Sequence, residues 1–172
     1  MDMEARMFKA YAKGDEKIQL KIISGHFITS QSHITHYLDM TTMKTRCAEA
    51  AQIARLLSAK YEATTPVDSI ICLDGLEVVG AFLAEELAKA GVLSMNAHKT
   101  IYIVTPEFHA NGQMLFRDNT QNMVKNRNTV ILMGSITTGT NTAAVYGNRA
   151  VLWGQNTGSL RNFQCGEQSG GN

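Results

Sequence analysis

At 172 residues the chain is long enough to bury one sizeable core, and 44% hydrophobic with 18% charged residues is an ordinary globular balance. A formal net charge of +1 removes the electrostatic case for a nucleic-acid or membrane-surface partner. No apolar run approaches the ~18 residues of a membrane span, Met1-Asp2-Met3-Glu4-Ala5-Arg6 lacks a secretory apolar region, and Cys47, Cys72 and Cys165 are too scattered for a disulfide framework or a zinc site. A cytosolic chain with reduced thiols is expected.

In chain order, Met3, Met7, Phe8 and Tyr11 share one face of a predicted helix over Met3 to Lys13, stopped by Gly14. Ile18, Leu20 and Ile22 alternate in a predicted short strand, Lys17 to Ile23. Ser24 to Thr42 has no period and reads as loop. Met43, Cys47, Ala50, Ala54, Leu57 and Tyr61 recur at helical spacing, with Thr42 as the expected cap. Beyond Pro66, apolar runs at Ser69–Leu73, Thr100–Val104 and Thr129–Met133 have the look of strands buried on both faces, and Ala150–Trp153 is a fourth strand. A helix over Val79–Ala90, ended by Gly91, lies between the first two. Asn111-Gly112 between apolar stretches predicts a hairpin. A short helix follows Thr140, and the Gly-, Asn- and Ser-rich chain after Gly154 reads as a loose tail. Alternating strands and helices predict an α/β domain with a parallel sheet, whose ligands sit at the carboxyl ends of the strands.

Two strand-to-helix turns lie at that edge. Ser135-Ile136-Thr137-Thr138-Gly139-Thr140 opens a helix, where unpaired N–H groups and the helix dipole favour an anion; the threonine hydroxyls add donors. Neither a dinucleotide fingerprint nor a Walker lysine is present. Asp74-Gly75-Leu76-Glu77 is the second turn, with Gly80 beyond it. His26, His33 and His36 lack a cysteine partner and read as part of a solvated loop; no metal site is expected from them.

Taken together and in order, these stretches resemble the type I phosphoribosyltransferases, and the orotate phosphoribosyltransferases most. Val130-Ile131-Leu132-Met133-Gly134-Ser135-Ile136-Thr137-Thr138-Gly139-Thr140 is similar to the family's strand, acid pair and 5-phosphate loop. Gly75-Leu76-Glu77-Val78-Val79-Gly80 resembles its pyrophosphate loop, and Gly25 to Tyr37 resembles the N-terminal segment of the orotate enzymes. The resemblance spans Gly25 to Trp153. It implies a parallel (Rossmann-like) sheet of the type I phosphoribosyltransferase fold, with an N-terminal helix and hood segment over 1–42, an α/β core over 43–153 and a tail over 154–172. It also implies phosphate and ribose contacts at Ser135, Ile136, Thr137, Thr138, Gly139 and Thr140. A pyrophosphate loop falls at Asp74, Gly75, Leu76 and Glu77, and base-side or hood residues at Phe27, Ser30, Tyr37 and Arg117.

The departures from that pattern fall on the chemistry. Met133 and Gly134 stand where the family has two acids that contact the ribose hydroxyls and Mg²⁺. Losing one preorganised charge costs ~10²–10³ in rate. Ser30 stands where the family has lysine, and Thr105 to Gln113, aligned with the mobile hood, holds no Lys or Arg. The resemblance therefore implies a divergent orotate-type homologue that binds PRPP (phosphoribosyl pyrophosphate) or a nucleoside monophosphate and transfers poorly or not at all. Two alternatives stand beside it. One is a working transferase of nucleotide metabolism with Mg²⁺ held by Asp74, Glu77 or Asp118. The other is a regulatory subunit, homodimeric through Met7, Phe8 and Tyr11.

Overall fold

Alternate residues of two central strands are buried on opposite sides of one sheet, and that alternation organises the molecule. In the computed structural model, which describes residues 4–12, 15–28, 33–61, 65–89, 91, 94–110, 114–136 and 152–156, these strands are β4 (Ser69–Cys72) and β8 (Thr129–Ile136). Ile70, Cys72, Val130 and Leu132 enter a large core; Ile71, Leu73, Ile131 and Met133 enter a smaller one, closed by Met114, Phe116 and Val124. A strand buried on both faces needs apolar side chains at consecutive positions, which is why these segments read as unbroken hydrophobic runs. With β5 (Tyr102–Val104) and β9 (Leu152–Asn156) they form a parallel sheet in the order β5-β4-β8-β9.

Helices cover the large-core face. α1 (Thr41–Thr45) and α2 (Cys47–Tyr61) are separated by Arg46, whose backbone is extended. Thr42 is therefore inside α1 rather than capping a longer helix, and the Asp39 carboxylate accepts the Thr41 N–H at 3.0 Å instead. Ala50, Ile53, Ala54 and Leu57 form the buried stripe of α2, at i, i+3, i+4 and i+7; Cys47, expected on that stripe, is exposed. α3 (Glu77–Lys89) begins two residues before its expected start and buries Val79, Leu83 and Leu87. Gly80 lets α3 approach β4 closely, since a Cβ there would stand 2.4 Å from the Cys72 sulfur. Asn96, fully buried, ties the chain ahead of β4: its amide accepts the Val67 N–H at 2.7 Å and donates to the Thr65 carbonyl at 2.8 Å.

The first forty residues differ most from the sequence reading. A 3-10 turn at Glu4–Arg6 leads into an antiparallel meander of β1 (Met7–Ala12), β2 (Asp15–Ile28) and β3 (His33–Asp39). The expected helix over Met3–Lys13 is mainly a strand, because Phe8 and Ala10 find cross-strand partners in Ile22 and Leu20. An isolated helix of that length is marginal in water, and tertiary pairing decides between the two periods. The expected loop from Ser24 to Thr42 is likewise mostly strand, and successive residues of β3 from His33 to Leu38 alternate between exposed and half-buried. Ile18, Leu20 and Ile22 lay the meander against the large core.

β6 (Glu107–Phe108) pairs antiparallel with β7 (Met114–Leu115), as a hairpin there requires, and α4 (Asp118–Gln121) follows; the expected Asn111-Gly112 turn lies outside the described residues. Gly134, Ser135 and Ile136 continue β8 instead of forming loop, and Gly154 to Asn156 belong to β9 instead of a tail. The loop from Thr137 to Thr140, the expected short helix after it and the chain beyond Asn156 lie outside the described residues. Among the described residues no helix is long and apolar enough to cross a membrane.

Candidate functional site

The order β5-β4-β8-β9 contains one reversal. From β4 the chain moves outward to β5; it then crosses back to β8 and continues to β9 on the other side. The carboxyl ends of β4 and β8 are therefore the topological switch point, the crevice position at which open α/β sheets bind ligands. The turn after β4 leaves from it, and β8 reaches it at Ile136, where the described residues pause.

β4 ends in a tight turn. Leu73 still pairs with β8, its N–H donating to the Leu132 carbonyl at 2.8 Å. Asp74 and Gly75 then take left-handed backbone conformations, with φ of 56° and 75°, and Leu76 N–H closes the turn onto the Leu73 carbonyl at 3.2 Å. Positive φ at both central residues explains the Asp-Gly pair, since these residue types tolerate that region best. The Gly80 N–H bonds to the Leu76 carbonyl at 2.8 Å. The first N–H groups of α3 therefore open at the crevice without an intrahelical acceptor.

Asp74 joins the two motifs. Its Oδ2 accepts the Gly134 N–H at 3.0 Å across 60 residues of chain. The carboxylate thus continues the β4–β8 ladder where the β4 backbone has turned away. Gly134 suits this role: a Cβ there would meet the Met40 sulfur at 3.2 Å and Asp74 at 3.6 Å. Met133 points the other way, buried in the smaller core beside Leu73 and Ile131. Positions 133 and 134 thus face opposite ways, Met133 into the smaller core and the buried Gly134 toward Asp74 and Met40.

Two further groups complete the edge. Glu77, in the first turn of α3, accepts the Thr105 hydroxyl at 3.1 Å, so the ends of β4 and β5 are linked as well. Lys44, on α1, extends its ammonium to the Asp74 carbonyl. Sequence reading missed Lys44 and Thr105 because nothing local marks a residue that another element brings to a site. Burial, and secondarily the Glu77 charge, pushes the Cys72 thiol up to about 12. Cys72 stays protonated near neutral pH, as suits a buried thiol that packs beneath α3.

The chain is similar to the crystal structure of Mycobacterium tuberculosis H37Rv orotate phosphoribosyltransferase in complex with Fe(III) dicitrate, at 16% identity and TM-score 0.46, over 77% of this chain and 75% of that one. No protein-family model matches the chain, and no curated protein does.

The remaining expected site residues are dispersed. Asp74, Glu77 and Asp118 do not form a three-ligand cluster; among the described residues no three His, Cys, Asp or Glu gather where they would hold a metal. Arg117 forms an ion pair with Glu107 across the β6–β7 ribbon. Phe27 and Tyr37 meet on the meander with ring centroids 5.6 Å apart and planes tilted by 42°, and Ser30 lies outside the described residues. Ser135 and Ile136 enter only as backbone, paired with Gln155 and Asn156 of β9.

Proposed function

We propose that this chain is a divergent protein of the type I phosphoribosyltransferase fold, orotate-like, that binds a phosphorylated ribose ligand at the β4–β8 crevice with weak or lost transfer. The observation that carries this reading is the contact between Asp74 and the Gly134 N–H at 3.0 Å. It joins the pyrophosphate-loop motif to the strand that delivers the 5-phosphate loop, at the one topological position where such a ligand fits. PRPP or a nucleoside monophosphate would set its phosphate on Ser135 to Thr140 and its ribose over Gly134. The acids that stabilise charge at the anomeric carbon are absent, so binding outlasts catalysis.

Calorimetry with PRPP, ribose 5-phosphate and pyrimidine monophosphates tests this. Saturable binding to the parent chain is expected, weakened by Thr138→Ala; absence of binding at millimolar ligand overturns the reading. A second reading, an active Mg²⁺-dependent transferase, is favoured by the carboxylate that Asp74 brings to position 134. It requires pyrophosphate release from PRPP that depends on Mg²⁺ and collapses in Asp74→Asn. A flat assay at high protein concentration removes it.

A further inference from the structure

The bulge between Ser24 and Phe27 shifts the β2–β3 register, and beyond it Ile28 faces His33. His26 shares a strand face with Ile28, two residues on, and so stands diagonal to His33, within reach of a long or aromatic side chain. The two imidazoles meet: His26 Nε2 and His33 Nδ1 are 2.9 Å apart, with ring centroids at 5.0 Å. Both residues are exposed. The third histidine of this stretch stands apart, His36 turning its ring edge-on to Phe8 and its Nδ1 to the Thr35 hydroxyl at 2.9 Å. The histidines that read as a solvated loop are thus sorted by strand pairing into a facing pair and an outlier.

We propose that His26 and His33 form a two-nitrogen site for a divalent transition-metal ion, Cu²⁺ foremost, that clips the β2–β3 hairpin. With metal–nitrogen bonds of ~2.0–2.1 Å, donors 2.9 Å apart subtend an angle of about 90°. That is the angle between adjacent ligands in the square-planar and octahedral geometries of Cu²⁺ and Ni²⁺; tetrahedral Zn²⁺ would need about 3.3 Å between donors. Affinity for nitrogen sites also rises from Ni²⁺ to Cu²⁺. In the metal-free pair one facing nitrogen donates a proton to the other. On binding, that proton moves to the far nitrogen of its own ring, leaving N–H at His26 Nδ1 and His33 Nε2 and a lone pair from each facing nitrogen on the metal. No proton is lost and no oxidant is needed. Among the described residues no third His, Cys, Asp or Glu joins the pair, so water fills the remaining positions. The site is independent of the phosphate crevice.

Cu²⁺ titration of the whole chain tests this, followed by calorimetry and by electron paramagnetic resonance. One equivalent should bind with superhyperfine structure from two nitrogens. Because even outer partners of metal sites change affinity by roughly 10–100-fold when mutated, His26→Ala and His33→Gln should each weaken binding by at least about tenfold. His36→Ala should bind as the parent does. Circular dichroism of each variant separates lost ligation from lost folding, and both substituted positions are exposed. Absence of a one-equivalent site, binding unchanged in His26→Ala and His33→Gln, or equal loss in His36→Ala would each overturn the proposal.

Discussion

The two main sheets of this protein solve the burial problem differently. In the parallel sheet the central strands are covered on both faces, and Ile70 and Ile71, adjacent in sequence, are 0% and 1% exposed. In the meander one face packs on the core, while Tyr11 is 57% and Tyr37 48% exposed. The consequence is a division of labour. The crevice at the end of β4 and β8 is anchored in the best-packed part of the molecule, where a carboxylate such as Asp74 can be held in one place. The meander presents its aromatic and imidazole groups on a scaffold that tolerates change.

That contrast breaks if substitutions in the two sheets cost the same. Leu76, fully buried at the entry to α3, should show the largest effect. Leu76→Ala removes transfer energy and leaves a cavity, and a loss of about 2–5 kcal/mol in urea unfolding is expected. Gly80→Ala comes next. Helix propensity alone favours alanine by about 1 kcal/mol, but the new methyl would sit 2.4 Å from the Cys72 sulfur, and overpacking of that kind costs about 1–3 kcal/mol. Cys72→Ala removes the obstructing atom. In that background Gly80→Ala should cost less than in the parent, by a coupling of about 0.5–3 kcal/mol; simple additivity would show that α3 is not pressed on β4.

The electrostatic ties at the entry to the sheet act on a smaller scale and depend on pH. Burial is the largest single influence on Asp68 and pushes its pKa up, but the backbone N–H and side-chain amide of Asn128, with Lys99, outweigh it and hold the carboxyl below its ordinary value. A carboxyl lowered on folding contributes stability at pH values above its unfolded pKa of about 3.9 and loses that contribution as pH falls through its folded pKa. Denaturant titrations between neutral pH and the acid limb should show a shallower loss of stability in Asp68→Asn than in the parent. An identical slope would mean that Asn128 and Lys99 do not favour the ionised form.

How far the sequence reveals this structure follows the same division. Ser69–Cys72 and Thr129–Met133 were legible because strands buried on both faces leave an unbroken apolar record, and Asp74-Gly75 was legible because only a few residue types accept a positive φ. Met7 to Ala12 was not, since its apolar positions satisfy a helical period as well as a strand pairing, and the partner that decides, β2, is a tertiary fact. The meeting of His26 with His33 depends on a bulge at Gly25-His26; the glycine permits the bulge, but the register it produces is set by pairing with β3. Lys44 and Thr105 reach the crevice from other elements and carry no local signal. The contact of Asp74 with Gly134 spans 60 residues, so the two motifs could be found separately but their closure could not.

The smallest expected effect lies on the edge strand β1, and it tests the meander's second possible role. Tyr11→Thr exchanges one strand-favouring residue for another and removes a mostly exposed ring, so stability should stay within about 0.5 kcal/mol of the parent. Phe8, 46% exposed with its ring against His36, should respond similarly when replaced by threonine. A homodimer pairing this open edge would cover Phe8 on one face of the joined sheet and Tyr11 on the other. The double variant Phe8→Thr/Tyr11→Thr then separates the cases by light scattering. A dimeric parent whose double variant is monomeric makes β1 an interface, with its exposed rings the anchors. Unchanged mass with unchanged stability leaves the aromatics of this strand as surface, and the contrast with the buried parallel sheet is complete.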